Sequence, residues 1–297
     1  MKIETAASGK AFLSGEYMAL DGGRAIILST PQSAKVLISE TNQTNNILVS
    51  SMSDHGYPFL IDEKLKIVWL EENPKQLGII LSEGISQFNK GFSGKSIAID
   101  TSDFFYGERK IGIGSSAAVS AALTKALNKL LDLRLTSKAM IDYSRQIHNR
   151  AQDSLGSGFD VIASFLKERA LSCQLYGHES YKHERIQLPE EIKIIAVVNN
   201  ACSQTSQMIN RYEAAKKKYK DYFSNHAPKM KSELDRLHDS ILRNDSSSMM
   251  NSLTSYNELL VEMDKKFSIG IFDHHHDLIS LAKDRGIFYK PSGLGGG

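Results

Sequence analysis

Residues 110–123, KIGIGSSAAVSAAL, set Gly112 and Gly114 and then the hydroxyls of Ser115 and Ser116 directly before a run of helix formers. A helix N-terminus presents unpaired backbone N–H groups and a partial positive charge, and phosphate oxygens suit both. Glycine lets the main chain approach a phosphate with no Cβ in the way. The two hydroxyls suit phosphate or Mg²⁺. The same order of residues also suits a tight strand-to-helix turn with a serine cap. The segment is neither a Walker loop nor a dinucleotide fingerprint: it lacks G-x-x-x-x-G-K-[ST] and the third glycine of G-x-G-x-x-G. A second segment, GSGFD (156–160), places Asp160 between glycines and an apolar run. A carboxylate there suits orienting or deprotonating an attacking oxygen, or simply meeting the dipole of its own helix.

Other groups carry less chemistry. His274, His275 and His276 are consecutive, so on a helix they point in different directions and share one metal poorly. A capped, exposed helix start between Asp273 and Asp277 is expected there. The run KKKYK (216–220) reads as a solvated helix face. Cys173 and Cys202 are the only cysteines, with neither zinc spacing nor a disulfide framework, so a reducing, cytoplasmic compartment is expected.

The elements that position these groups come from periodicity. Residues 25–30, 34–40, 66–71 and 95–101 read as strands, being short runs rich in Val, Ile and Thr. Leu77, Ile80, Leu81, Ile85 and Phe88 give 74–91 a helical stripe. Helices are expected over 115–131, over 136–150 with Thr136 or Ser137 as cap, and over the later part of 155–166. Beyond Gly177 the chain turns polar and helical. Long, largely exposed helices are expected over 205–243, with two more over 247–263 and 274–285. Residues 192–200 read as a buried strand and 286–290 as a short one.

The chain has 297 residues, 41% hydrophobic and 24% charged, with a net charge of +2. That composition fits a globular protein with one large domain or two lobes and gives no broad footprint for nucleic acid or acidic membranes. No apolar run reaches the ~20 residues that span a bilayer, and the N-terminus lacks a signal-peptide apolar region. Neither a membrane role nor export is expected. Strands early and helices late suggest an α+β protein of two lobes, divided softly near 175–190 and taken as 1–180 and 181–297.

Three segments, ASGKAFLSGEYMALDGGRAII (7–27), KIGIGSSAAVSAAL (110–123) and KPSGLGGG (290–297), resemble in order and separation the three motifs of the GHMP kinase superfamily. GEY (15–17), SDFFYGERKIGIGSSAA (102–118), AQDSLGSGFDVIAS (151–164) and, more weakly, SQTSQMI (203–209) are similar to its phosphomevalonate kinase branch. Three features depart from the family pattern. Ser8 stands where proline is usual, Leu294 stands where alanine is usual, and Gly297 ends the sequence where the pattern continues into a closing strand and helix.

The resemblance implies a ribosomal S5 domain 2-like N-terminal lobe carrying the phosphate loop and a ferredoxin-like C-terminal lobe that ends early. It implies ATP and Mg²⁺ as cofactors and a small-molecule phosphorylated substrate, 5-phosphomevalonate, which becomes the diphosphate. Nucleic acid and membrane are not expected partners, and the chain is expected to be a monomer or homodimer. Mevalonate or a sugar is the alternative acceptor, and a ligand sensor without turnover is the alternative of another class.

By the same resemblance Lys10 lies beside the transferring phosphate and Asp160 orients the acceptor. An acceptor phosphomonoester is already largely ionised at neutral pH, its second pKa being about 6, so Asp160 positions more than it deprotonates. Lys110, Gly112, Gly114, Ser115, Ser116 and Ala117 hold the nucleotide, with the Ser116 hydroxyl toward the metal. Glu16, Tyr17, Ser157, Thr205 and Ser206, with the second glycine loop Gly293, Gly295, Gly296 and Gly297, face the acceptor.

Overall fold

The computed structural model describes residues 1–152, 156–176, 180–198 and 205–294. The chain forms two compact units, and their division is interleaved. One comprises Met1–Lys10 and Ser29–Lys167; the other comprises Ala11–Leu28 and everything from Glu168 onward. The expected lobes met at 180/181, whereas the units divide at 167/168 and the second also claims 11–28. The reason is a hairpin of two long strands, β1 (Lys2–Ser14) and β2 (Arg24–Glu40), which serve one unit at their outer ends and the other at the turn. Short-range patterning registers strand character but not where a long ribbon changes unit.

In the first unit the later half of β2 pairs antiparallel with β6 (Lys95–Asp100), matching Val36 with Ile99 and Ile38 with Ile97. Strand β6 pairs parallel with β3 (Asn46–Ser50), which continues antiparallel through β4 (Gly56–Ile61) to β5 (Ile67–Trp69). Helices α1 (Gln76–Phe88), α2 (Ser115–Leu130), α3 (Ser137–Ala151) and α4 (Phe159–Leu166) pack on one another around α2. The alanines of α2 make this possible: Ala117, Ala118, Ala121, Ala122 and Ala126 are all fully buried. Small side chains permit close approach, and Gly84 of α1 confirms it, since a Cβ there would lie 3.1 Å from Leu127. Thr136 caps α3 by accepting from the Ala139 amide at 3.2 Å, as the sequence predicts.

Lys125 of α2 is an internal tie that the sequence reading does not single out. Its ammonium donates to the Phe165 carbonyl at 2.8 Å and the Ala6 carbonyl at 3.3 Å, and lies 4.2 Å from the centre of the Phe165 ring. Burial, then the nearby Lys167 and Lys129, push its pKa down to about 8.

In the second unit the first part of β2 pairs with β9 (Ala170–Tyr176), which pairs with β10 (Ser180–Arg185). Helices α5 (Thr205–Lys218), α6 (Lys220–Leu242), α7 (Ser246–Phe267) and α8 (His276–Asp284) follow. Asp245 caps α7, accepting from the Ser248 amide and hydroxyl at 2.9 and 2.6 Å. Expectation and structure differ first in two helices. Helix α6 is not a largely exposed helix: Phe223, Met230, Leu234, Leu237 and Ile241 give it a buried stripe. Lys216 of the basic run pairs with Asp21, which also accepts from the Tyr212 hydroxyl at 2.6 Å.

The other two differences are missing strands. Residues 192–198 form no strand and leave Ile195 82% exposed; apolar β-branched residues supply propensity, but a strand also needs a partner to pair with. Residues 286–290 form no strand because the backbone is spent on ending α8. Gly286, with φ +64°, donates to the Lys283 carbonyl, and Ile287 donates to that of Ala282. Among the described residues no helix is long and apolar enough to cross a membrane.

The helix start expected at the three histidines is found, exposed at His274 and His276 but not at His275. His275 is the residue before α8 and is buried, with Nδ1 2.7 Å from the Tyr289 hydroxyl. Burial lowers its pKa, helped by His274 and His276; burial also lowers that of His226, whose Nε2 meets the Leu259 carbonyl at 3.1 Å. A depressed folded pKa gives stability that is present above the unfolded value of about 6.5 and lost as pH falls through the folded value. Thermal unfolding between pH 7 and pH 5 is therefore expected to show a falling midpoint, and His226→Gln is expected to flatten that slope.

Candidate functional site

In the first unit the loop 111–114 lies flush against β1. The Lys10 amide donates to the Ile113 carbonyl at 2.8 Å. Gly9 lies within β1 and not in a turn. Glycine is required there for space: a Cβ would lie 2.4 Å from Thr30 Oγ1 and 3.0 Å from the Ile113 carbonyl oxygen. Gly112 and Gly114 both have left-handed backbone, φ +75° and +81°. The Lys10 side chain runs directly over Gly114, where a Cβ would lie 2.7 Å from its Cε.

From Gly114 the chain enters α2. The first intrahelical bond joins the Ala118 amide to the Gly114 carbonyl at 3.1 Å, so helix geometry turns the amides of Ser115, Ser116 and Ala117 outward. Ser115 is buried, Ala117 is fully buried, and Gly112 is exposed. Lys110 stands exposed in β8 (Arg109–Lys110), opposite Phe105 of β7 (Phe105–Tyr106). An amide cluster at a helix start with a lysine laid over the preceding glycine can neutralise and orient a polyphosphate.

Asp160 lies in the first turn of α4, after Gly158 at φ +70°. Its Oδ1 accepts from the Val161 amide at 2.9 Å, and its Oδ2 is 3.8 Å from His148 Nε2. The same nitrogen is 3.2 Å from Ser116 Oγ, which also accepts from Gln152 Nε2 at 2.9 Å. The loop thus meets Lys10 directly and Asp160 through His148, with Gln152 as a second partner of Ser116, and sequence reasoning gave neither His148 nor Gln152 a role. The available signal was weak: His148 and Gln152 are four apart, and His148 extends the buried face of Ile141, Ser144 and Ile147. Arg145, one turn earlier, donates to the Ser157 carbonyl at 3.0 Å and packs where a Cβ on Gly158 would sit. Ser157 itself caps locally, its Oγ 3.4 Å from the Phe159 amide. Among the described residues no three His, Cys, Asp or Glu gather to hold a metal.

The second unit joins two other expected segments. Glu16 and Lys290 form a buried ion pair, with side chains 1% and 7% exposed. Lys290 also donates to the Pro291 carbonyl at 2.6 Å, the Tyr17 hydroxyl to that of Leu294 at 2.7 Å, and the Ser292 hydroxyl to that of Phe12 at 3.0 Å. Burial, then Glu16 and Asp264, raise the Tyr17 pKa, keeping it a neutral donor. Gly293 has φ +67° beside these contacts. Thr205 and Ser206 open α5, but their side chains, like Gly295, Gly296, Gly297 and Cys202, lie outside the described residues.

Gly114→Ala is expected to cost about 1–3 kcal/mol, because it combines backbone strain with the displacement of Lys10. Gly112→Ala, with nothing within 4 Å of its Cβ, bears the strain alone and is expected to cost less. Urea unfolding of the two variants measures the difference. Glu16→Gln leaves the Lys290 ammonium buried and unpaired, and is expected to cost about 3–5 kcal/mol. Unfolding of Glu16→Leu/Lys290→Met is expected to recover most of that loss.

Residues 84–168 match the family model of the GHMP kinases N terminal domain. No curated protein sequence matches the chain. Among solved structures, the Lin0012 protein from Listeria innocua aligns with a TM-score of 0.82 and 17% identity, over 100% of this chain and 89% of that one. Streptococcus pneumoniae phosphomevalonate kinase, in complex with phosphomevalonate and AMPPNP, aligns at 0.73 and 17%, over 99% and 90%. Methanococcus jannaschii mevalonate kinase aligns at 0.62 and 19%, over 89% and 79%. The matched N-terminal kinase domain spans α1 through α4, and along the rest of the chain the likeness is one of mixed α+β fold.

Proposed function

We propose that this protein transfers the γ-phosphoryl group of ATP to 5-phosphomevalonate, giving 5-diphosphomevalonate and ADP. The observation that carries the reading is the meeting of Lys10, the Gly112–Ala117 loop and Asp160 around α2. Phosphoryl transfer asks a protein for position and charge more than for covalent chemistry. The outward amides of Ser115–Ala117 receive phosphate oxygens. Lys10, held over Gly114, supplies a point charge where negative charge develops. Asp160 orients the attacking oxygen of an acceptor that is already ionised. ATP fits the donor set of the Ser115–Ala117 amides and Lys10, and the Mg²⁺ that accompanies a nucleotide would supply further charge neutralisation there. Gly293, Gly295 and Gly296, with Glu16, Tyr17, Ser157, Thr205 and Ser206, are assigned to the acceptor, and Lys110 to attracting anions.

The motif GEY at 15–17 and the segment around GSGFD favour the phosphorylated acceptor over mevalonate itself. Mevalonate remains the second reading because solved mevalonate kinases share the fold. A coupled assay of ADP release over a panel of acceptors separates them: turnover on mevalonate but not on its 5-phosphate would overturn the first choice. Absence of turnover on every acceptor, with ATP still bound, would point to a sensor. Lys10→Ala and Asp160→Asn are each expected to lower kcat by about 10²–10⁴-fold while ATP affinity changes far less.

A further inference from the structure

Ser116 stands at the start of α2, and its hydroxyl has two neighbours whose roles follow from chemistry. Gln152 Nε2 donates to Oγ at 2.9 Å. His148 Nε2 lies 3.2 Å from the same oxygen. The imidazole's other nitrogen, Nδ1, is buried and has no hydrogen-bond partner among the described residues. A hydrogen on Nδ1 would therefore be an orphaned buried donor. A hydrogen on Nε2 instead faces Ser116 Oγ and, at 3.8 Å, the Asp160 carboxylate. Nδ1 goes unpaired in either tautomer, so the Asp160 carboxylate beside Nε2 decides and puts the hydrogen there, where protonation of the ring would leave it. His148 is thus a donor to Ser116 in either charge state.

A hydroxyl has two lone pairs and one hydrogen. With Gln152 and His148 both donating, both lone pairs of Ser116 are used. The hydrogen is what remains, and no protein acceptor for it is found among the described residues. We infer that Ser116 is set by His148 and Gln152 as a hydrogen-bond donor to the bound phosphate, and not as a ligand to the metal that the nucleotide brings. A cation would need a lone pair that the two neighbours already occupy, whereas a phosphate oxygen needs the hydrogen they leave. This reverses the metal-facing role expected for Ser116 from the sequence. It makes His148 and Gln152 positioning residues, acting on the nucleotide through Ser116. The inference rests on the proposed nucleotide site and is independent of the acceptor.

The test is binding of AMPPNP by titration calorimetry, in Mg²⁺ and again in EDTA. Ser116→Ala is expected to weaken binding by about tenfold in both conditions, the worth of one hydrogen bond to a charged group. A loss confined to Mg²⁺ would overturn the inference and restore a metal-ligand role. The two histidine variants give a second readout. His148→Gln keeps a donor near the position of Nε2 and is expected to bind within about twofold of the wild type, whereas His148→Asn is too short and is expected to match Ser116→Ala. Equal binding by both histidine variants would overturn the inference, and their thermal midpoints show whether each is folded. Wild-type protein that binds no AMPPNP in either condition would remove the kinase reading and this inference together. Wild-type binding with a Ser116→Ala loss confined to Mg²⁺ removes the inference alone.

Discussion

The first unit depends on how closely the main chain at 113–114 lies against β1. One hydrogen bond, from the Lys10 amide to the Ile113 carbonyl, fixes the register. Two glycines then close the gap from both sides. Gly9 removes a Cβ that would meet Thr30 and Ile113, and Gly114 removes one that would meet the stem of Lys10. The lysine is thereby restrained along its aliphatic length. A charge whose stem is already held loses little rotamer entropy on meeting a phosphate.

The second unit solves a related problem with charge. Glu16 and Lys290 are far apart in sequence, buried together, and flanked by the bonds from Tyr17 to Leu294 and from Ser292 to Phe12. A buried ion pair adds little net stability, but either partner alone is costly, so the pair discriminates strongly against other registers of the terminal segment. The left-handed cap after α8 contributes by ending that helix at Arg285 and releasing the chain toward Lys290.

Much of this was legible in the sequence because it is local. The helix stripe of α1, the Thr136 cap, the alanine-rich α2 and the glycines before it are all written within a few residues of where they act. The failures share one cause. Residues 192–198 have strand composition but pair with no strand among the described residues, and 286–290 have it too, yet the amides of Gly286 and Ile287 are taken by α8. Gly9 looks like a turn glycine and is instead a spacing glycine, because the atom it makes room for belongs to residue 30. His148 and Gln152 went unremarked because their meaning depends on Ser116 and Asp160, which reach them only in the folded chain. Side-chain type announces propensity; partnership across the sequence does not show in it.

The hairpin of β1 and β2 passes out of the first unit after Lys10 and back in at Ser29, and the chain leaves again after Lys167. Neither half of the molecule is thus one uninterrupted stretch of polypeptide. A ribosome completes the first unit only after threading an excursion through the second, and the 11–28 segment must wait for everything beyond Glu168 before its own surroundings exist. Dissecting the protein into separately expressed halves would therefore require joining Lys10 to Ser29 by a new linker, and simple truncation would leave both pieces without part of their sheet.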